Sequence, residues 1–148
     1  MLLKNLINNL KPNIPSPKIK GISFDSRNIK KGDLFVSIKG NTYDGNDYIK
    51  QAVQKGAKAV VYSSPVKKNQ KAVFIKVKNT RDTLAKLSAK YYAEKPKNIV
   101  AVTGTNGKTS VSDFFHQIFI LQKRKVGFIG TLGFKKNKFL KRRNLTTL

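Results

Sequence analysis

Cysteine is absent from this chain of 148 residues, tryptophan is absent too, and histidine occurs once. Without thiols there is neither a disulfide framework nor a thiolate metal site. A single imidazole, His116, excludes His-rich metal centres and leaves little scope for a His-based catalytic triad. On its helix, with no acidic partner evident, it reads as structural. Long apolar runs are missing as well, since nothing approaches the roughly 20 residues of a membrane span. The opening Met1–Leu10 stretch is too polar and interrupted for a signal peptide, and its spacing predicts a short amphipathic helix. The expectation is a soluble, cytoplasmic protein without a membrane partner.

Acidic residues are scarce, 7 against 31 basic ones, which leaves a net charge of +24. Such an excess is what a nucleic-acid binder shows, because a basic surface releases counterions as it neutralises phosphates. The kind of basic residue argues otherwise. Lys outnumbers Arg 26 to 5, and 13 Asn accompany them, as adenine- and thymine-rich coding DNA would produce. Specific readers of nucleic acid lean on Arg for bidentate contacts. The Lys are spread along the whole chain, and the aromatics form no stacking platform. Composition favours drift over a specific nucleic-acid partner. The cluster Lys135, Lys136, Lys138, Lys141, Arg142 and Arg143 reads as an irregular, solvated loop.

What is present is an alternation of strand and helix signals. Pro12, Pro15 and Pro17 close the first helix. Strands are predicted over Ile19–Asp25, Leu34–Ile38, Ala57–Tyr62 and Ala72–Val77. Tyr48, Ile49, Ala52 and Val53 fall at helical spacing, with Gly56 as the stop. Asn79 or Thr80 caps a helix running to about Glu94 and ended by Pro96. Asp25 reads as a turn residue that pairs with Arg27 or caps the turn. After Lys95-Pro96-Lys97 the pattern restarts with a buried-type strand at Asn98–Val102, a Gly-rich turn, a helix from about Lys108 to Leu121, and a strand at Val126–Ile129. Phe114, Phe115 and Phe119 are core candidates on that helix. The class is α/β, with a small domain over 1–95 and the start of a second, parallel-sheet domain over 96–148.

The residues that carry chemistry are Ile-Val-Ala-Val-Thr-Gly-Thr-Asn-Gly-Lys-Thr, Ile99 to Thr109. A strand enters a tight loop with two glycines, and a Lys-Thr pair opens a helix. Gly104 and Gly107 let the backbone turn its amides inward on a phosphate, and the helix N-terminus adds its positive dipole end. Lys108 would reach the β- and γ-phosphates of a nucleotide and Thr109 would bind Mg²⁺. The strict pattern asks for a glycine where Val102 stands, so this is a shortened form.

That shortened loop, Thr103–Ser110, resembles the ATP-binding loop of the Mur ligase superfamily, which includes folylpolyglutamate synthase. Phe24-Asp25-Ser26-Arg27, Gly32-Asp33-Leu34-Phe35-Val36, Gly40, Asp44-Gly45 and Gly56-Ala57 resemble the N-terminal UDP-binding domain of the peptidoglycan members. Folylpolyglutamate synthase lacks that domain. Thr105 in the loop, Gly130-Thr131-Leu132-Gly133 after the next strand, and Leu145-Thr146-Thr147 resemble the branch that adds the third peptide residue rather than the final dipeptide. The resemblance covers nearly all of this chain and only the first third of a typical member.

It implies that Gly104, Thr105, Asn106, Gly107, Lys108, Thr109 and Ser110 hold ATP, with Lys108 catalytic and Thr109 on Mg²⁺. Phe24, Ser26, Asn41, Thr42 and Tyr43 would form the uridine site, the last three departing from the common His-Gln-Ala form. Thr146 and Thr147 would contact the muramoyl end of a UDP-N-acetylmuramoyl peptide. Family chemistry is ATP-driven amide formation through an acyl phosphate. The family's carboxylates for Mg²⁺, modified lysine, ribose and adenine contacts and amino-acid-binding domain have no counterpart here. The expectation is therefore a truncated ligase without turnover of its own, its added amino acid (lysine or diaminopimelate) left open. Two alternatives stand beside it, a non-catalytic UDP-sugar-binding module and a basic nucleic-acid-binding protein.

Overall fold

A computed structural model describes residues 1–141 except 9, 41, 68–70, 132, 137 and 138. The chain divides into two compact units, Met1–Lys95 and Pro96–Leu148.

In the first unit, β1 (Ile22–Ser23), β2 (Leu34–Val36), β3 (Ala59–Tyr62) and β4 (Val73–Lys76) form a parallel sheet in the order 1-2-3-4. Register pairs Leu34 with Ala59, Phe35 with Val60 and Val36 with Val61. Side chains alternate across a strand, so each strand feeds two cores. Leu34, Val36, Ala59, Val61 and Ile75 face Leu3 and Leu6 of α1 (Leu3–Leu6) and Leu87 of α3 (Thr80–Tyr91). Phe35 and Val60 face Ile49, Ala52 and Val53 of α2 (Ile49–Gln54). Burial on both faces explains why β2 and β3 read as unbroken apolar runs.

α1 is the short first helix expected, four residues long. The chain entry is tied down as extended backbone: the Met1 amino group donates to Ile19 O at 2.9 Å, and Leu3 N–H donates to Pro17 O at 3.0 Å. Asn79 caps α3 as expected, its Oδ1 accepting from Arg81 N–H at 2.9 Å and Asp82 N–H at 3.1 Å. Two first-turn amides depend on one side chain, so Asn79→Ala is expected to cost about 1 kcal/mol, read as a lower urea midpoint with an unchanged slope. α3 stops at Tyr91, short of Pro96. Tyr91 is its last residue packed on the core, and Tyr92 is exposed.

In the second unit α4 spans Lys108–Leu121, as the motif required, followed by β5 (Gly127–Gly130), β6 (Gly133–Lys136) and β7 (Phe139–Lys141). The expectations for residues 98–102, for the basic segment and for Phe114 and Phe115 are corrected here. Residues 98–102 form no strand, and Ile99 and Val100 are 78% and 61% exposed; a strand needs a neighbour for its backbone groups, and β5 pairs with β6 instead. The described strands of this unit are antiparallel, because a two-residue connection between β5 and β6 turns the chain straight back and cannot make a parallel crossover. The basic segment expected to be irregular contributes β6 and β7, whereas Lys138, Arg142 and Arg143 lie outside the described residues. Phe114 and Phe115 of α4 are exposed, and the buried side chain of that helix is His116, beside Phe128 of β5.

Candidate functional site

The first candidate site is the loop between Thr103 and α4. Gly107 has φ +75° and occupies the N-cap position of α4 without any capping side chain. A residue with a Cβ is strained at that angle, whereas glycine is not. Nothing stands within 4 Å of the position a Cβ would take at Gly107, so the requirement is conformational. The amides of the first turn therefore point outward unpaired, at the positive end of the helix dipole. The Lys108 ammonium folds back over the loop, donating to Gly104 O and, at 3.0 Å, to Thr105 O. Thr109 Oγ1 stands 3.4 Å from Thr131 Oγ1, after β5.

The carboxylate of α4 is committed elsewhere. Asp113 receives the Lys135 ammonium of β6 at 2.5 Å and the Gln117 amide at 2.7 Å. These two hydrogen bonds, Lys135 first, hold its carboxyl below the ordinary carboxylate range. Among the described residues no group of three or more His, Cys, Asp or Glu is placed to hold a metal. The Thr109 hydroxyl, expected to hold Mg²⁺, stands at the first turn of α4 beside the hydroxyl of Thr131. His116 is buried with Nε2 unpartnered, packed against Phe128 as a structural residue.

The second candidate site lies beyond the C-terminal ends of β1, β2 and β3, where open parallel sheets bind ligands. Phe24 follows β1 and is exposed. Asp25 does both things foreseen for it: Oδ1 accepts from Arg27 N–H at 2.9 Å, and the carboxylate pairs with the guanidinium at 2.9 Å. Ser26 is buried, its hydroxyl donating to Gln51 Oε1 of α2 at 2.6 Å.

Between β2 and α2 the chain doubles back. Gly40 N–H donates to Tyr43 O at 2.9 Å and Gly45 N–H to Ile38 O at 3.0 Å, raising a small loop with Thr42 and Tyr43 at its tip. The Tyr43 side chain is 70% exposed. Phe24, Ser26, Thr42 and Tyr43 thus share one edge of the sheet, whereas Asn41, Thr146 and Thr147 lie outside the described residues. Sequence reasoning missed Gln51, Ser37, Asn46 and Ser64, all polar side chains at this edge.

The Arg27 guanidinium hydrogen-bonded to Asp25 holds that carboxyl below its ordinary value of 3.8. A carboxyl with a lowered folded-state pKa stabilises the fold above its unfolded pKa, and that contribution disappears as pH falls through the folded value. The expected result is that the parent's stability advantage over Asp25→Asn is constant above about pH 5 and vanishes toward pH 2. Urea midpoints across that range measure it.

Two family descriptions match the chain, "Mur ligase family, catalytic domain" over residues 18–92 and "Mur ligase middle domain" over residues 102–148. A UDP-N-acetylmuramoyl-L-alanyl-D-glutamate–2,6-diaminopimelate ligase of Clostridioides difficile is 44% identical over 116 residues, 77% of this chain and 24% of that protein. The ligase of the same name from Bacillus licheniformis is 41% identical, over 89% of this chain and 28% of its own length. This chain spans about a quarter of the length of these curated relatives. Among solved structures, the MurF ligase of Thermotoga maritima in complex with ADP is 28% identical with a TM-score of 0.56, over 76% of this chain and 26% of that one. A UDP-N-acetylmuramoyl-L-alanyl-D-glutamate–2,6-diaminopimelate ligase structure shares the fold at a TM-score of 0.73 and 22% identity, over 95% of this chain and 29% of that one.

Proposed function

The chain belongs to the Mur ligase family, and from that premise we propose that its two units hold the two nucleotides of peptidoglycan-precursor ligation. UDP-N-acetylmuramoyl dipeptide sits on the first unit and ATP on the second. The single observation that carries the ATP half is the uncapped start of α4 at Gly107, with the Lys108 ammonium lying over the loop. Phosphates entering there exchange Lys108's two carbonyl partners for anionic oxygens and gain the free amides of the first turn. Residues Gly104 to Ser110 form the cradle, and Lys108 is the catalytic residue, neutralising charge on the transferring phosphoryl group. Thr109 would hold Mg²⁺ through its hydroxyl; that ion supplies charge neutralisation between phosphate oxygens when bound.

In the first unit, Phe24 offers a ring face, Ser26 its lone pairs, and Asn41, Thr42 and Tyr43 complete the uridine site. Thr146 and Thr147 meet the muramoyl end. The reaction of the assembled ligase is amide formation by way of an acyl phosphate, for which the named relatives use diaminopimelate. The part we propose for residues 1–148 is binding without turnover: the carboxylate of α4, Asp113, is already paired with Lys135 and Gln117.

Titration calorimetry with UDP, UDP-N-acetylmuramoyl dipeptide, ATP and a random DNA duplex tests this. Both UDP ligands and ATP are expected to bind, the dipeptide more tightly than UDP, with no ATP hydrolysis. Tight, steeply salt-dependent duplex binding without nucleotide affinity would replace this reading with that of a basic nucleic-acid binder.

A further inference from the structure

Asn46 is held by more side chains than any ligand reading of this edge requires. The Ser37 hydroxyl, at the end of β2, donates to Asn46 Oδ1 at 2.6 Å. Asn46 Nδ2 in turn donates to Ser64 Oγ, just past β3, at 2.7 Å. Its main-chain N–H donates to Asp44 Oδ1 at 2.9 Å. Ser37 is only 2% exposed, so its hydroxyl has no water to fall back on if this partner is lost. One residue therefore connects the ends of two adjacent strands to the turn that closes the loop.

Beyond Asn46, the loop is closed by backbone bonds from Gly40 N–H to Tyr43 O and from Gly45 N–H to Ile38 O. Thr42 and Tyr43 at its tip are exposed, and Gly45 at its base contributes no side chain. A tip without buried anchors takes its position from the hydrogen bonds at its root. We propose that Asn46 is a positioning residue for pyrimidine-nucleotide binding: by bridging Ser37 and Ser64 it fixes the loop that presents Thr42 and Tyr43 over the sheet edge. The proposal rests on the reading of this edge as the UDP site. It adds that affinity there depends on a carboxamide that does not touch the ligand. A loop set in its bound form before the ligand arrives has less freedom to lose on binding.

The test is a double-mutant cycle read on UDP affinity in the full chain, with the thermal midpoint recorded for every variant. Asn46→Ala is expected to weaken UDP binding about tenfold and Ser64→Ala about threefold, the scale of one or two lost hydrogen bonds. In the double variant Ser64→Ala is expected to add nothing, because its partner is already gone. A purely structural role would show that coupling in the thermal midpoint and leave UDP affinity unchanged. Parent-like affinity in Asn46→Ala and Ser64→Ala, or losses that multiply in the double variant, would overturn the role of Asn46. A parent protein that fails to bind UDP at all overturns the site itself, a distinguishable outcome. Should Asn46→Ala not fold, Ser64→Ala alone decides, and parent-like affinity in it counts against the proposal.

Discussion

Lys108→Ala is expected to weaken ATP binding by roughly ten- to a hundredfold while UDP affinity stays at the parent value. The size follows from charge-assisted hydrogen bonds to phosphate, about 1.5–3 kcal/mol in all. In the free protein the ammonium is satisfied by Gly104 O and Thr105 O, so binding exchanges carbonyl oxygens for phosphate oxygens. The net gain is the difference between a neutral and an anionic acceptor, which keeps the estimate below the full worth of an ion pair. Alanine preserves the helix start, because Gly107 and not Lys108 sets the turn. Lys108→Arg is expected to recover only part of the affinity, since its planar fork needs more room than a point charge. Calorimetry on the full chain with ATP and then UDP reads both arms.

Gly45→Ala is expected to lower the stability of the first unit by about 3 kcal/mol, the upper part of the range for forcing an extra methyl into a packed site. A Cβ at Gly45 would stand 2.6 Å from both Ile38 N and Ile38 O. Those are backbone atoms at the end of β2, flanked by Ser37, whose N–H donates to Val61 O of β3 at 2.8 Å. They cannot swing aside as a side-chain tip would. Relief means opening the Gly45 N–H to Ile38 O bond and lifting the loop, which also carries Tyr43 away from the sheet edge. Urea unfolding measures the first effect. UDP affinity under conditions where the variant remains folded measures the second, and both are expected to fall together.

Local signals made much of this architecture readable in advance. Asn79 capping α3, the Gly-Lys-Thr opening of α4 and the doubly apolar run of β3 each depend on neighbours within a few residues. Their structures follow from dihedral preference, capping and two-sided burial. Pairing is another matter. Ile99 to Val102 has the composition of a buried strand but no partner strand among the described residues, so composition alone misled. β6 and β7 were hidden for the opposite reason, as a lysine-rich composition masked strands that pair with their neighbours in sequence. The Asp25–Arg27 pair, two residues apart, was legible. The Ser37–Asn46–Ser64 relay joins positions 9 and 18 residues apart, and only the parallel register of β2 with β3 brings them together.

The proposed function requires the backbone between Thr103 and the first turn of α4 to receive a triphosphate. The most direct measurement is a titration of the isotope-labelled protein with ATP and, separately, UDP, following backbone amide resonances. ATP is expected to shift the amides of Gly104 to Ser110, most of all Gly107 and Lys108, and UDP to leave them in place while moving Tyr43. Saturating ATP that leaves those amides unmoved, or shifts them no more than UDP does, would contradict it.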